Sequence, residues 1–290
     1  MAPNIWSYYD ENTVNCNNFY NEGFELGQHD LSEGQNYYAK DLVIIDWGQL
    51  WYQGGFGAMN WSNTFVPGAN IENCTEQFAE GYYGGTGPNT VAHLRIALGT
   101  SNYATPTEFP SYAAGQAWGD FAVAAWTWIY DNGYSKQVDV AAGYDAELAW
   151  DSYSGTLSFE QGWNSATTGL IYDFGDAEGC PPSGSCANGW TVPDVVSVAF
   201  SGGTDNWPLP EIYDTNGANA LQWANLASNG IDSGIQGVMT QSGACSQMRG
   251  CSGTNNTPTQ GWSQLSADLG ANSNLIFSSD ICWFQNGFCS

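Results

Sequence analysis

The chain is short of positive charge: Lys and Arg together number 4 and His 2, against 29 Asp plus Glu, for a formal net charge of −25 over 290 residues. Acids make up an ordinary share of the residues, about a tenth, so the imbalance comes from missing cations rather than added carboxylates. So few cations cannot neutralise a row of phosphates, which argues against nucleic acid as a partner. The scarcity suits an acidic exterior, where protonated carboxyls would leave few positive charges to repel one another; neutral drift in a secreted protein is the other reading. No apolar run reaches the roughly 20 residues of a membrane span, so none is expected. Gly-x-Ser-x-Gly does not occur, and no Ser-His-Asp setting is evident. His29 and His93 are poor candidates for chemistry, with His93 expected to be buried in mid-strand. With no Cys-x-x-Cys and two His, no metal is expected. No glycine-rich phosphate loop follows the first apolar run, so no cofactor is expected. Met1-Ala2-Pro3-Asn4 leads directly into polar and aromatic sequence, as in a chain whose leader has been removed.

Cysteine, by contrast, is present in even number: Cys16, Cys74, Cys180, Cys186, Cys245, Cys251, Cys282 and Cys289. Their loop-like settings fit disulfides in an oxidising, extracellular compartment. Three short-range pairs suggest themselves, Cys180–Cys186, Cys245–Cys251 and Cys282–Cys289, which leaves Cys16 for Cys74. Spacing alone leaves other connectivities open.

Residues 1–40 are rich in Asn, Gly and Tyr without a clear period and read as an irregular N-terminal segment; 41–290 read as one domain. Strand-like runs occur at 41–49, 91–99, 138–147, 169–176, 195–203, 209–213, 235–241 and 275–280. Helical patterns cover 71–83, 112–130, 219–228 and 260–269. Alternation of this kind predicts an α/β fold with a parallel sheet, and the length suits a TIM-like (β/α)8 barrel, with an open doubly wound sheet as the alternative.

The run from Val138 ends in Asp145 and Glu147, at i and i+2, which a strand would place on one face. Like charges repel there unless a metal, a basic partner or chemistry uses them. Other strand ends carry Asp46, Asn102, Asp173 with Asp176, Glu211 and Gln241, and aromatic neighbours Trp47, Tyr144, Tyr172 and Tyr213. In a parallel barrel these ends open on one face, where active sites are built. Aromatic faces beside carboxylates and amides suit a sugar, so Trp47, Asn102, Tyr144, Tyr172, Asp176, Glu211, Tyr213 and Gln241 are candidate substrate contacts.

Gly143-Tyr144-Asp145-Ala146-Glu147 resembles the strand-end Asp-x-Glu of family 25 lysozyme and family 18 chitinase barrels, and Val43-Ile44-Ile45-Asp46 resembles the first strand of the former. Ala141 and Gly143 stand where the fuller chitinase pattern has further acids. The runs 172–181, 209–213, 239–241 and 251–258 resemble a group of uncharacterised exported proteins of actinomycetes and related soil bacteria, across residues 41–285. The resemblance to the hydrolases implies cleavage of a microbial or cell-wall polysaccharide. Glu147 would then be the general acid, with its pKa raised by an aromatic pocket and a neighbouring carboxylate. Asp145 would modulate it, and Asp46 or Asp173 would act as nucleophile or base. The alternative is a non-catalytic extracellular protein on the same scaffold, either a self-associating matrix component or a glycan-binding module.

Overall fold

The computed structural model describes residues 6–11, 16–32, 40–88, 92–104, 111–182, 184–201, 206–229, 234–248, 250–270 and 275–281. The chain starts with β1 (Trp6–Glu11) and α1 (Phe19–Ser32), then β2 (Lys40–Tyr52), a β3 (Phe56–Met59) and β4 (Phe65–Pro67) hairpin, and α2 (Gly68–Thr86). Next come β5 (His93–Ser101), α3 (Tyr112–Asp131), β6 (Val138–Asp145), α4 (Tyr153–Ala166) and β7 (Ile171–Asp173). The remainder is α5 (Val192–Val196), β8 (Asn206–Pro208), α6 (Ala218–Ser228), β9 (Gly237–Thr240), α7 (Ser242–Met248), α8 (Pro258–Leu269) and β10 (Phe277–Ile281).

This is a mixed α/β fold around one mostly parallel sheet, with strand order β8-β7-β6-β5-β2-β1-β10-β9. β10 lies parallel to β1 and β1 to β2, so strands that follow one another in the chain lie side by side. The β3–β4 hairpin extends β2 in antiparallel fashion. Beyond β8 and β9, the Gln236 N–H donates to the Pro208 carbonyl, Met239 N–H to Pro210, and Ile212 N–H to Met239, each at 2.8 Å.

Both faces of the sheet are buried, which is why its strands read as unbroken apolar runs. Val43, Ile45, Trp47, Ile96 and Leu98 pack in the larger core with Phe78, Trp118 and Trp163 from the helices. Alternate residues Leu42, Ile44, Ala97, Ala141, Tyr172, Met239 and Phe277 meet in a second core made by the opposite face. Close helix packing accounts for part of the glycine content: a Cβ at Gly23 or Gly81 would collide with the backbone of the facing helix in the α1–α2 pair.

Residues 1–40 are not irregular where they are described. β1 lies within the sheet and α1 packs on α2. The buried face of α1 consists of Phe19, Glu22, Gly23, Leu26, Gly27 and Asp30, too polar and glycine-rich to show a hydrophobic period. The strand expected over 195–203 is instead α5 running into a wide helical turn, Ser197–Ser201. Thr191 and Asp194 form a reciprocal capping box and Pro193 sits in the first turn, signals that outweigh the β-branched residues. α4, which no apolar period announces, buries Thr156, Glu160 and Gly162 beside Phe159 and Trp163. His93 is half-buried at the start of β5 rather than enclosed in mid-strand.

Disulfides join Cys16–Cys74, Cys180–Cys186 and Cys245–Cys251, with Cα separations of 4.7, 3.8 and 5.3 Å. The expected Cys282–Cys289 pair lies outside the described residues. Among the described residues no helix is long and apolar enough to cross a membrane.

Candidate active site

At the C-terminal ends of the parallel strands, one carboxylate oxygen from each of Asp145, Glu147 and Glu211 lies within 4.8 Å of the others. β6 stops at Asp145, so strand alternation does not carry Glu147. Asn102, just past β5, sets its position instead. The Asn102 amide oxygen accepts from the Glu147 N–H at 3.0 Å, and its Nδ2 donates to the Glu147 carbonyl at 2.9 Å and to Thr156 Oγ1 at 3.0 Å. Asn102 is completely buried, so its amide holds the turn carrying Glu147 from behind.

Glu211, after β8, accepts a short hydrogen bond from the Tyr213 hydroxyl. The Glu211 carboxyl in turn hydrogen-bonds Glu147, lowering its pKa, and Glu147 hydrogen-bonds Asp176, a contact that raises it. Asp176 accepts from the Leu148 N–H at 3.2 Å. Asp145 stands apart: it is 7 % exposed, and its Oδ1 accepts no hydrogen bond among the described residues.

Burial is the main force on all these groups. It pushes Glu147 up to about 8, with the Asp176 charge adding to it. Asp145 is held well above the usual carboxylate range by burial, then by Glu147 and Asp46. Burial followed by Glu147 and Asp145 does the same to Glu211. Burial and mutual repulsion therefore favour the protonated forms of these carboxyls, because separated charges would meet low dielectric and one another.

Asp46 is buried on β2, which β5 separates from β6, and acts on Asp145 electrostatically. Its Oδ1 accepts from the Gly48 N–H at 3.2 Å and its Oδ2 from Trp61 Nε1 at 2.8 Å. β2 bulges between Asp46 and Gln49. Gly48 there has φ +90°, and a Cβ would strike the Met59 carbonyl, so this turn requires glycine. Trp61 lies 6.3 Å from Trp150, whose ring meets Tyr103 at 5.6 Å, centroid to centroid. Trp61 and Tyr103 are 37 % and 39 % exposed, which gives the acidic cluster an open aromatic flank. Trp61 sits in the hairpin turn after β3, where no strand-end pattern points to it; only its membership of the chain's rich tryptophan set is visible in sequence.

Several expected contacts lie elsewhere. Trp47 stacks on Phe19 at 5.6 Å and Tyr144 on Phe159 at 4.4 Å, both buried between sheet and helices. Tyr172 lies in the second core, where Arg95 donates to its hydroxyl at 2.8 Å while pairing with Asp139 through two bonds of 2.7 and 2.8 Å. The Asp173 carboxyl accepts from the Gly175 N–H at 3.1 Å and is bonded by the Ala146 N–H. It braces the turn carrying Glu147 and is itself raised to about 7 by burial. Gln241 is half-buried and donates to the Thr254 carbonyl at 2.9 Å. The structure thus brings together Asp145, Glu147, Glu211, Tyr213 and Asp176, with Asp46 beside them.

No protein-family model matches the chain, and no curated protein matches its sequence.

Proposed function

We propose that the chain is a secreted glycoside hydrolase-like protein in which Glu147 is the general acid, acting on a microbial or cell-wall polysaccharide. The observation that carries this reading is the convergence of Asp145, Glu147 and Glu211 at the strand ends, with Glu147 raised to about 8. Three disulfides support an oxidising, extracellular setting. A closed (β/α)8 barrel is the architecture we infer. It is supported by the sequential strand order, the core formed by one face of the sheet alone, and the three backbone bonds between the 208–212 and 236–239 segments. On this reading the chain shares its plan with the family 25 and family 18 barrels and with the exported actinomycete proteins.

A sugar ring stacked against Trp61, Trp150 or Tyr103 would present its glycosidic oxygen to the acids. Glu147 transfers its proton to that oxygen as the bond to the anomeric carbon breaks. Asp145, whose Oδ1 accepts no hydrogen bond among the described residues, stabilises the positive charge that develops there. Water then supplies the hydroxyl to the anomeric carbon, and its remaining proton returns to the carboxyl cluster through Glu147. Inverting enzymes separate their carboxyls by about 6.5–9.5 Å to admit a water between them. Oxygens no more than 4.8 Å apart favour retention. The test is to incubate the protein with a panel of chitin, peptidoglycan and plant and fungal glucans, and to follow new reducing ends and their anomer by NMR. Retained anomers support the reading. Inverted anomers overturn the stereochemical part, and binding without new ends favours the glycan-binding alternative.

A further inference from the structure

We infer that Asp145, Glu147 and Glu211 form a site for one hard divalent cation of calcium's size. This goes beyond the hydrolytic reading and does not depend on it.

Calcium takes carboxylate oxygens at about 2.3–2.6 Å, so two oxygens on opposite sides of one ion lie at most about 4.6–5.2 Å apart. The three carboxylates already place one oxygen each within 4.8 Å of the others, inside that span. The ligands come from a strand end, the turn after it and the segment following β8. The fold itself holds them: Asn102 clamps the Glu147 peptide and Tyr213 steadies Glu211.

The observation that separates this cluster from an ordinary acidic patch is Asp145. Its side chain is more than nine-tenths buried, points into the cluster, and leaves Oδ1 with no hydrogen bond among the described residues. A buried carboxylate oxygen with no donor is costly unless a proton or a cation satisfies it. Among the described residues, the groups acting on the three carboxyls are Asp46, Asp173, Asp176, Glu178 and Tyr213, all acidic or phenolic. Arg95 is engaged with Asp139 and Tyr172.

The experiment is calorimetric titration of the full chain with calcium chloride at pH 8. Wild type should show one saturable site above the weak background of an acidic surface. Asp145→Asn and Glu211→Gln should each lose the saturable site, while Asp120→Asn, on the exposed face of α3, should keep it. Absence of a saturable site, or unchanged binding in both site variants, would overturn the inference. So would an equal loss in Asp120→Asn, which would mean diffuse surface charge. Folding of each variant is checked by thermal melting, and no substrate enters the assay, so a chain that cuts no glycan is still tested.

Discussion

Removing the titrating group at position 147 should change how stability depends on pH. In the unfolded chain Glu147 loses its proton near its ordinary value of 4.5, whereas burial in the fold raises it to about 8. Below pH 4.5 both states hold the proton and no difference arises. Between these values the folded state binds the proton more tightly, so stability falls as pH rises, until the loss is complete above about pH 8. The gap between 4.5 and about 8 corresponds to about 5 kcal/mol for an isolated group. Glu147 shares its protons with Glu211 and Asp176, so the loss belongs to the cluster and its individual share is smaller, on the order of 2–4 kcal/mol. Glu147→Gln keeps the shape but cannot ionise. Urea unfolding from pH 4.5 to 8.5 should therefore show the variant gaining on wild type steadily across that interval. A difference between the two that stays flat with pH would refute the assignment of a buried, proton-holding carboxyl to this position.

Four further outcomes follow from the contacts and bridges of the fold. Asn102→Ala leaves the Glu147 peptide without its buried partners and should cost about 3 kcal/mol in denaturant unfolding; a cost under about 0.5 kcal/mol would deny the clamp. Trp61→Ala should raise KM for a cleaved polysaccharide by roughly tenfold, about 1.4 kcal/mol, and, by taking the Nε1 donor from buried Asp46, should cost about 1 kcal/mol of stability; an unchanged KM would remove the aromatic flank from the binding site. Removal of the Cys16–Cys74 bridge, with its sequence separation of 58, should destabilise the fold by about 4 kcal/mol in the chain-entropy model. Alkylation of unreduced protein should leave all six cysteines of the three described bridges unlabelled, and a label on any of them would contradict the pairing.

The parts of this fold that can be read from sequence are those where the hydrophobic effect acts along an unbroken run. β2, β5 and β6 are buried on both faces, and their runs of Val, Ile, Leu and Ala announce them. The short cysteine spacings likewise point to local bridges. α1 and α4 are obscured because their buried faces use glycine for close approach and carry Glu22, Asp30 and Glu160 inward. α5 shows how a four-residue cap, 191–194, can outweigh the β-preference of Val192, Val195 and Val196. At the site, Asp145 and Glu147 stand out as a local pair, but their union with Glu211 depends on contacts between the ends of distant strands. The bonds of Asn102 and Asp173 to the backbone of the turn around Glu147 depend on which way each side chain turns. Tyr144 and Trp47 sit at strand ends in sequence yet point to the helices, one residue out of phase with the acids. Trp61 arrives from a hairpin that no pattern in the chain associates with Asp46.

The central claim, that Glu147 is the acid of a glycan-cleaving site, is tested most directly by comparing wild type with Glu147→Gln on the polysaccharide that wild type cleaves best in the panel. The account predicts that the variant releases reducing ends at least about 10²-fold more slowly, while still sedimenting with the insoluble polysaccharide and melting cooperatively. A variant that keeps most of the wild-type rate would contradict it, as would a wild type that releases no reducing ends from any member of the panel.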